Sequence, residues 1–229
     1  MVPRPKGLGD PSGFEAERLK MPYAEFLAWA DEDVHAEWVN GQVIIHLPST
    51  PSHQCILGFL NGLLSMFVSL FNLGTAYIAP MQMKATPEGS GREPDILFVA
   101  REHLDRVLED RPDGPVDLVV EIVSDDSVSR DLDDKFFEYQ EAGVPEYWII
   151  DPRPRRKRAW FYRLDERGHY QAAPIEPDWQ YRSAVVPGFW INVNWLWTDE
   201  LPDPLTTFAE IAGFSDQMKA ALHDLRQRE

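Results

Sequence analysis

Between Asp117 and Val123 the chain reads DLVVEIV, a nearly continuous apolar run with one carboxylate inside it. A run this short, bounded on both sides by polar residues, has the length of a strand rather than a helix. Its β-branched residues favour the same choice. Apolarity at consecutive rather than alternate positions predicts a strand covered on both faces. Such a strand needs a packed layer above it and another below it, so the run points to the interior of a layered structure. Glu121 then poses a specific problem. A lone carboxylate in a buried strand is costly unless it is paired with a cation or coordinates one.

The rest of the chain supplies the layers. Residues 1–20 show no period and read as a loose N-terminal tail, leaving 21–229 as a single domain. Pro22 to Ala30 predicts a short helix opened by proline. His35 to Leu47 predicts a hairpin turning at Asn40-Gly41. A long helix is expected from Ser52 to Phe71, then strands over Thr75 to Ala85 and Glu93 to Ala100. Ser127 to Ala142 predicts a helix that Gly143 ends. Strands follow over Val144 to Asp151 and Arg158 to Leu164, then two shorter strands, then a helix from Leu205 to Arg226. The order gives an α/β (α+β) class with one mixed layer structure.

Composition narrows the function. Asp and Glu number 38 against 22 Lys and Arg, for a net charge of -16. That balance argues against tight nonspecific binding to nucleic acid, which leans on clustered basic residues, but it leaves room for a local basic groove and for acidic metal ligands. The single cysteine, Cys55, excludes an intrachain disulfide and a cysteine zinc cluster. A cytoplasmic location is the expectation. The longest apolar stretch, Ile56 to Leu73, is interrupted by Gly58, Asn61, Gly62, Ser65, Ser69 and Asn72 and reads as a buried helix rather than a membrane span.

Three residues stand where strands and a following helix would bring them together. Asp95 opens an apolar strand after Pro94, Glu121 interrupts the next, and Lys135 lies on the helix after that, sharing a face with Asp131 and Tyr139. The expected geometry has Glu121 facing a cleft and Asp95 on the adjacent strand. Two carboxylates and an ammonium form a sensible site for phosphodiester hydrolysis, with Mg²⁺ or Mn²⁺ on hard oxygen ligands and the lysine beside the developing charge. Each residue also has a plain structural reading. Asp95 can cap a turn, Glu121 and Lys135 can form a buried ion pair, and Asp131 and Lys135 can form a helix-surface pair.

The strings EPDILFV and DLVVEIVSDDSVSRDLDDKFFEYQEAGVPEYWIIDP resemble the Uma-two endonuclease-like family of the PD-(D/E)XK nucleases, nearly without a break from Glu93 to Pro152. A looser resemblance reaches back through AEWVNGQVIIHLPSTPSHQ. The resemblance implies a restriction-endonuclease-like mixed central sheet flanked by helices. It implies a metal-dependent endonuclease with nucleic acid, DNA before RNA, as substrate. By position, Pro94 and Asp95 match the PD element and Glu121 the D/E element. Val123 stands where the superfamily's lysine would be, its backbone carbonyl a candidate metal ligand, and Lys135 matches the displaced lysine of the family. Glu37 matches an additional upstream carboxylate that ligates metal or positions water.

Other residues invite both kinds of reading. His53 at the head of the long helix could touch phosphate or metal-bound water, or cap the helix. His46 reads as structural, and Asp126 and Ser127 as helix caps. Arg153, Arg155, Arg156, Lys157 and Arg158 form one basic cluster, either a backbone contact or a solvated turn. Trp190, Trp195 and Trp197 could form a dimer surface or a base-stacking platform, with core packing the more ordinary role. Two functions stand: a metal-dependent endonuclease, and a non-catalytic interaction or assembly protein retaining the nuclease fold. A homodimer is compatible with either.

Overall fold

The computed structural model describes residues 19–30, 35–45, 50–84, 86, 88–109, 111–124 and 133–226. Helix α1 (Tyr23–Trp29) follows Pro22 and leads into the hairpin β1 (Ala36–Val39) and β2 (Gln42–Ile45). Asn40 and Gly41 turn it at φ 49° and 82°. Two positive φ values are what a tight hairpin turn needs, and these two residue types tolerate them best. Helix α2 (Pro51–Leu70) starts on Thr50, whose hydroxyl accepts the His53 N–H at 3.3 Å.

The strand expected over 75–85 divides into β3 (Gly74–Ile78) and β4 (Met83–Lys84), which belong to different sheets. Pro80, in a cis peptide, separates them and offers no N–H to a ladder. Likewise the strand expected from Glu93 begins only at β6 (Ile96–Ala100), because β5 (Gly91–Arg92) lies in the other sheet and residues 93–95 cross between the two. Then come β7 (Leu118–Ile122), α3 (Lys135–Ala142), β8 (Glu146–Asp151) and β9 (Arg158–Leu164). Gly143, at φ 82°, ends α3 as expected. Three short strands follow where two were expected: β10 (Tyr170–Ala172), β11 (Gln180–Arg182) and β12 (Trp190–Asn192). The single C-terminal helix divides into α4 (Pro204–Ile211) and α5 (Asp216–Arg226) around Gly213 at φ 70°.

The main sheet has the order β10-β9-β8-β7-β6-β3. The β7–β8 pair is parallel and the other pairs are antiparallel. β7 is therefore interior, as its composition requires. Alternate side chains serve opposite faces. Leu118, Val120 and Ile122 join Ile96, Phe98, Trp148 and Ile150 against α2. Val119 joins Leu97, Val99, Tyr147 and Ile149 against Tyr139 of α3. Helix α2 is long and apolar enough to cross a membrane by composition alone. Its Ile56, Phe59, Leu60, Leu63, Leu64 and Phe67 are instead buried against the sheet, as a core helix requires. A second sheet, β2-β1-β5-β4, is joined to the first through residues 93–95. The Trp190 and Trp195 rings lie 5.4 Å apart and, with Trp197, pack half-buried against the α2-side core.

Candidate functional site

Glu121 occupies an odd position of β7, on the side that faces α3. Tyr139 donates its hydroxyl hydrogen to Glu121 Oε1 at 2.8 Å, and Lys135 Nζ lies 2.9 Å from Glu121 Oε2. Glu121 and Lys135 are each only 3% exposed, so the expected open cleft at Glu121 is replaced by an enclosed ion pair. Lys135 and Tyr139, one helical turn apart, both point back onto the strand, as i,i+4 neighbours do. Asp131, the third residue expected on that face, lies outside the described residues, as do His46, Asp126 and Ser127.

Lys135 is held from a second side. Its Nζ is 3.0 Å from Glu37 Oε1, and Glu37 is fully buried on β1 of the small sheet. Glu37 Oε2 accepts from Arg92 Nη1 at 2.9 Å. Arg92 reaches α3 with a fork, Nε to Glu138 Oε2 at 2.8 Å and Nη2 to Glu138 Oε1 at 2.7 Å. Both oxygens of Glu37 thus meet cations, and it serves as the holder of Lys135. A continuous chain of charges, Glu138–Arg92–Glu37–Lys135–Glu121, ties the small sheet, α3 and β7 together. Its cations stand between its carboxylates, which is what allows so many charges to be buried.

The electrostatics follow from that enclosure. Burial opposes the charge on Arg92, but the hydrogen bonds it donates to Glu138 and the charges of Glu37 and Glu138 outweigh it and raise its pKa. Burial, together with the charges of Glu121 and Glu37, keeps the Tyr139 phenol far above its ordinary value, and therefore a donor. Glu93 is pushed up to about 7, first by burial and then by the charge of Glu37. It lies 3.6 Å from His35 Nδ1 and accepts from Gln82 Nε2 at 3.4 Å.

Asp95 stands in the bend that leads into β6. Ile96 pairs with Val120, so one more step of the ladder sets Asp95 opposite Glu121. Its Oδ2 accepts the Ile122 N–H at 2.7 Å, and its Oδ1 lies 3.1 Å from His53 Nε2 in the first turn of α2. Both contacts reach other elements rather than the turn that Asp95 was expected to cap, and the helix cap belongs to Thr50 rather than to His53. Val123 is buried on the α3 side, with its N–H donated to Ile150 O at 2.8 Å. Among the described residues, no group of three or more His, Cys, Asp or Glu side chains is arranged to hold a metal ion. Asp95 and Glu121, opposite one another in the ladder register, are the two carboxylates that the sequence singled out.

Arg92, Glu93 and Glu138 were not foreseen as site residues. Arg92 and Glu93 directly precede the Pro94-Asp95 pair and carry no local period. Glu138 had a signal in its spacing of three from Lys135. A further buried carboxylate, Glu146 on β8, stands apart: it accepts from Trp148 Nε1 at 2.6 Å, Tyr181 Oη at 2.9 Å and the Ala184 N–H at 2.7 Å. Those donors saturate it and make it a structural group.

A family model described as "Putative restriction endonuclease", Uma2, matches residues 23–194. Among solved structures, one described as "a putative nuclease belonging to DUF820 from Anabaena variabilis" is similar at a TM-score of 0.62 and 17% identity, covering 76% of this chain and 96% of the other. That likeness is one of fold. No curated protein matches the chain.

Proposed function

This chain belongs to the Uma2 family and has a restriction-endonuclease-like fold, and from that premise we propose that it is a metal-dependent endonuclease that hydrolyses phosphodiester bonds in DNA. The observation that supports the proposal is the ladder register that sets Asp95 opposite Glu121, with Lys135 on the Glu121 carboxylate. Nucleases of this type generally use divalent metals. A small hard cation is commonly held by one or two protein carboxylates, with water and substrate phosphate completing its shell. A carboxylate on β7 and another in the bend that enters the neighbouring β6 suit that chemistry without a third protein ligand. Asp95 and Glu121 would hold Mg²⁺ or Mn²⁺, which when bound polarises the phosphoryl group and lowers the pKa of water.

The chain's own residues then do three things. Ile122 N–H and His53 fix the two oxygens of Asp95. The protonated Tyr139 and Lys135 fix those of Glu121. Glu37, itself held by Arg92, keeps the Lys135 ammonium beside Glu121, where it favours negative charge developing on the phosphate.

One observation favours the second reading, a non-catalytic assembly protein that keeps the fold: both oxygens of Glu121 are engaged by Lys135 and Tyr139. Calorimetric titration with Mn²⁺ and Mg²⁺, alongside nicking of supercoiled DNA, separates the two. The parent is expected to bind metal and to nick only with metal present, and Asp95→Asn and Glu121→Gln are expected to lose both. A parent that binds Mn²⁺ no better than Glu121→Gln and leaves the DNA intact would establish the second reading instead.

A further inference from the structure

Five of the six residues from Arg153 to Arg158 are basic, in a chain of net charge -16. They form the turn between β8 and β9, and the topology places that turn relative to the carboxylates. Glu121 pairs in parallel register with Ile149, so β8 runs past Glu121 toward the same end of the sheet. Asp151 closes β8 two residues further on and pairs with Arg158. At about 3.3 Å per residue and about 4.8 Å between strands, the Asp151 backbone lies about 8 Å from that of Glu121. The basic turn projects beyond it, and Asp95 enters β6 at this same end.

The turn is held at both shoulders. Arg153 forks onto Asp151, Nε to Oδ1 at 2.8 Å and Nη2 to Oδ2 at 2.8 Å, and its backbone N–H adds a third bond to Oδ1 at 3.1 Å. Burial pushes the Asp151 carboxyl up, but the bonds from Arg153 and the charges of Arg153 and Arg156 outweigh it and hold it below its ordinary value. On the other shoulder Lys157 Nζ donates to the Trp197 carbonyl at 2.8 Å. Arg155 at the tip adopts φ 67°. Arg155, Arg156 and Arg158 are exposed. A merely solvated tip would need none of these anchors, whereas a phosphate contact gains from having its arginines placed in advance.

We propose that the β8–β9 turn is a phosphate-backbone contact: Arg155, Arg156 and Arg158 seat duplex DNA a few residues' length from Asp95 and Glu121. The identity of the ligand rests on the nuclease reading above. The contact is one of charge and carries no sequence information. It supplies locally the counterion-releasing charge that the chain as a whole lacks.

The test is fluorescence anisotropy of a labelled duplex in EDTA, as a function of salt. Arg155→Asn/Arg156→Gln is compared with Arg101→Gln/Arg106→Gln, which removes the same charge from the segment after β6, at the opposite end of the sheet. Asparagine at position 155 suits the left-handed backbone. The first variant is expected to reduce the slope of log K against log salt by about 2, roughly 0.9 per lost phosphate contact. It should weaken binding at least tenfold, equally for unrelated sequences, and the second variant should bind like the parent. Equal effects of the two variants, or no effect of the first, overturn the proposal. If the parent cleaves and Arg155→Asn/Arg156→Gln binds normally, the turn proposal falls alone. If the parent binds through the turn but never cleaves with metal, the nuclease reading falls alone. A parent without affinity for the duplex at any salt overturns both.

Discussion

Replacing Lys135 by methionine keeps the length of the side chain and removes its charge from between Glu121 and Glu37. Glu37 still has Arg92 at 2.9 Å, whereas Glu121 loses its ammonium partner and retains the Tyr139 hydroxyl at 2.8 Å. Breaking a buried pair in this way costs about 3–5 kcal/mol. A second argument bounds the cost. Glu121 can escape by taking up a proton, which at pH 7 costs about 1.4 kcal/mol for each pH unit above an unfolded carboxyl pKa of roughly 4.3. The ceiling is therefore about 4 kcal/mol at pH 7 and about 1 kcal/mol at pH 5. The sign follows from linkage. The folded variant holds a proton that the unfolded chain has released, so its stability falls as pH rises, and its deficit against the parent shrinks on acidification. For a chain of this size the deficit at pH 7 corresponds to a melting point about 10 °C lower. Urea denaturation of parent and Lys135→Met at both pH values is the assay. Lys135→Met/Glu121→Gln should recover most of the loss, because an amide leaves no unpaired charge. A deficit below about 1 kcal/mol at pH 7, or one that does not change with pH, would refute the assignment of Lys135 as the cation that permits two buried carboxylates.

Two further outcomes are expected. Glu93, raised from 4.5 to about 7, holds its proton in the folded state, so its contribution is fully present below pH 4.5 and is lost as pH rises through about 7. Glu93→Gln should therefore melt with a flatter pH dependence than the parent across that window, and parallel curves for the two would contradict it. Glu146→Ala strands the Trp148 and Tyr181 donors in the core and should cost more than about 3 kcal/mol by urea denaturation while leaving metal binding of the folded protein unchanged.

What the sequence disclosed and what it withheld divide along one physical line. Local signals sufficed for the Asn40-Gly41 turn, for α2, for the Gly143 stop and for β7, where the composition of seven consecutive residues states the environment. The same locality exposed Glu121, because a charge is conspicuous in an apolar run. Its partner on the next helix was also legible, and the plain alternative of a buried Glu121–Lys135 ion pair proved to be the geometry present. Glu37, Arg92 and Glu138 come from three elements far apart in the chain. Their mutual pairing is a consequence of how the small sheet docks, and no local period encodes it. The breaks at Pro80 and Gly213 were written in the sequence, yet the apolar pattern on either side of each reads as continuous.

The bridging position of Lys135 also couples the small sheet to α3 energetically. Glu37 and Arg92 precede α3 in the chain, and without α3 Glu37 lacks Lys135 and Arg92 lacks Glu138. Closing that interface without α3 would bury charges without their partners, a penalty of several kcal/mol. The salt network that encloses the candidate catalytic groups thus favours docking of the small sheet only with α3 in place.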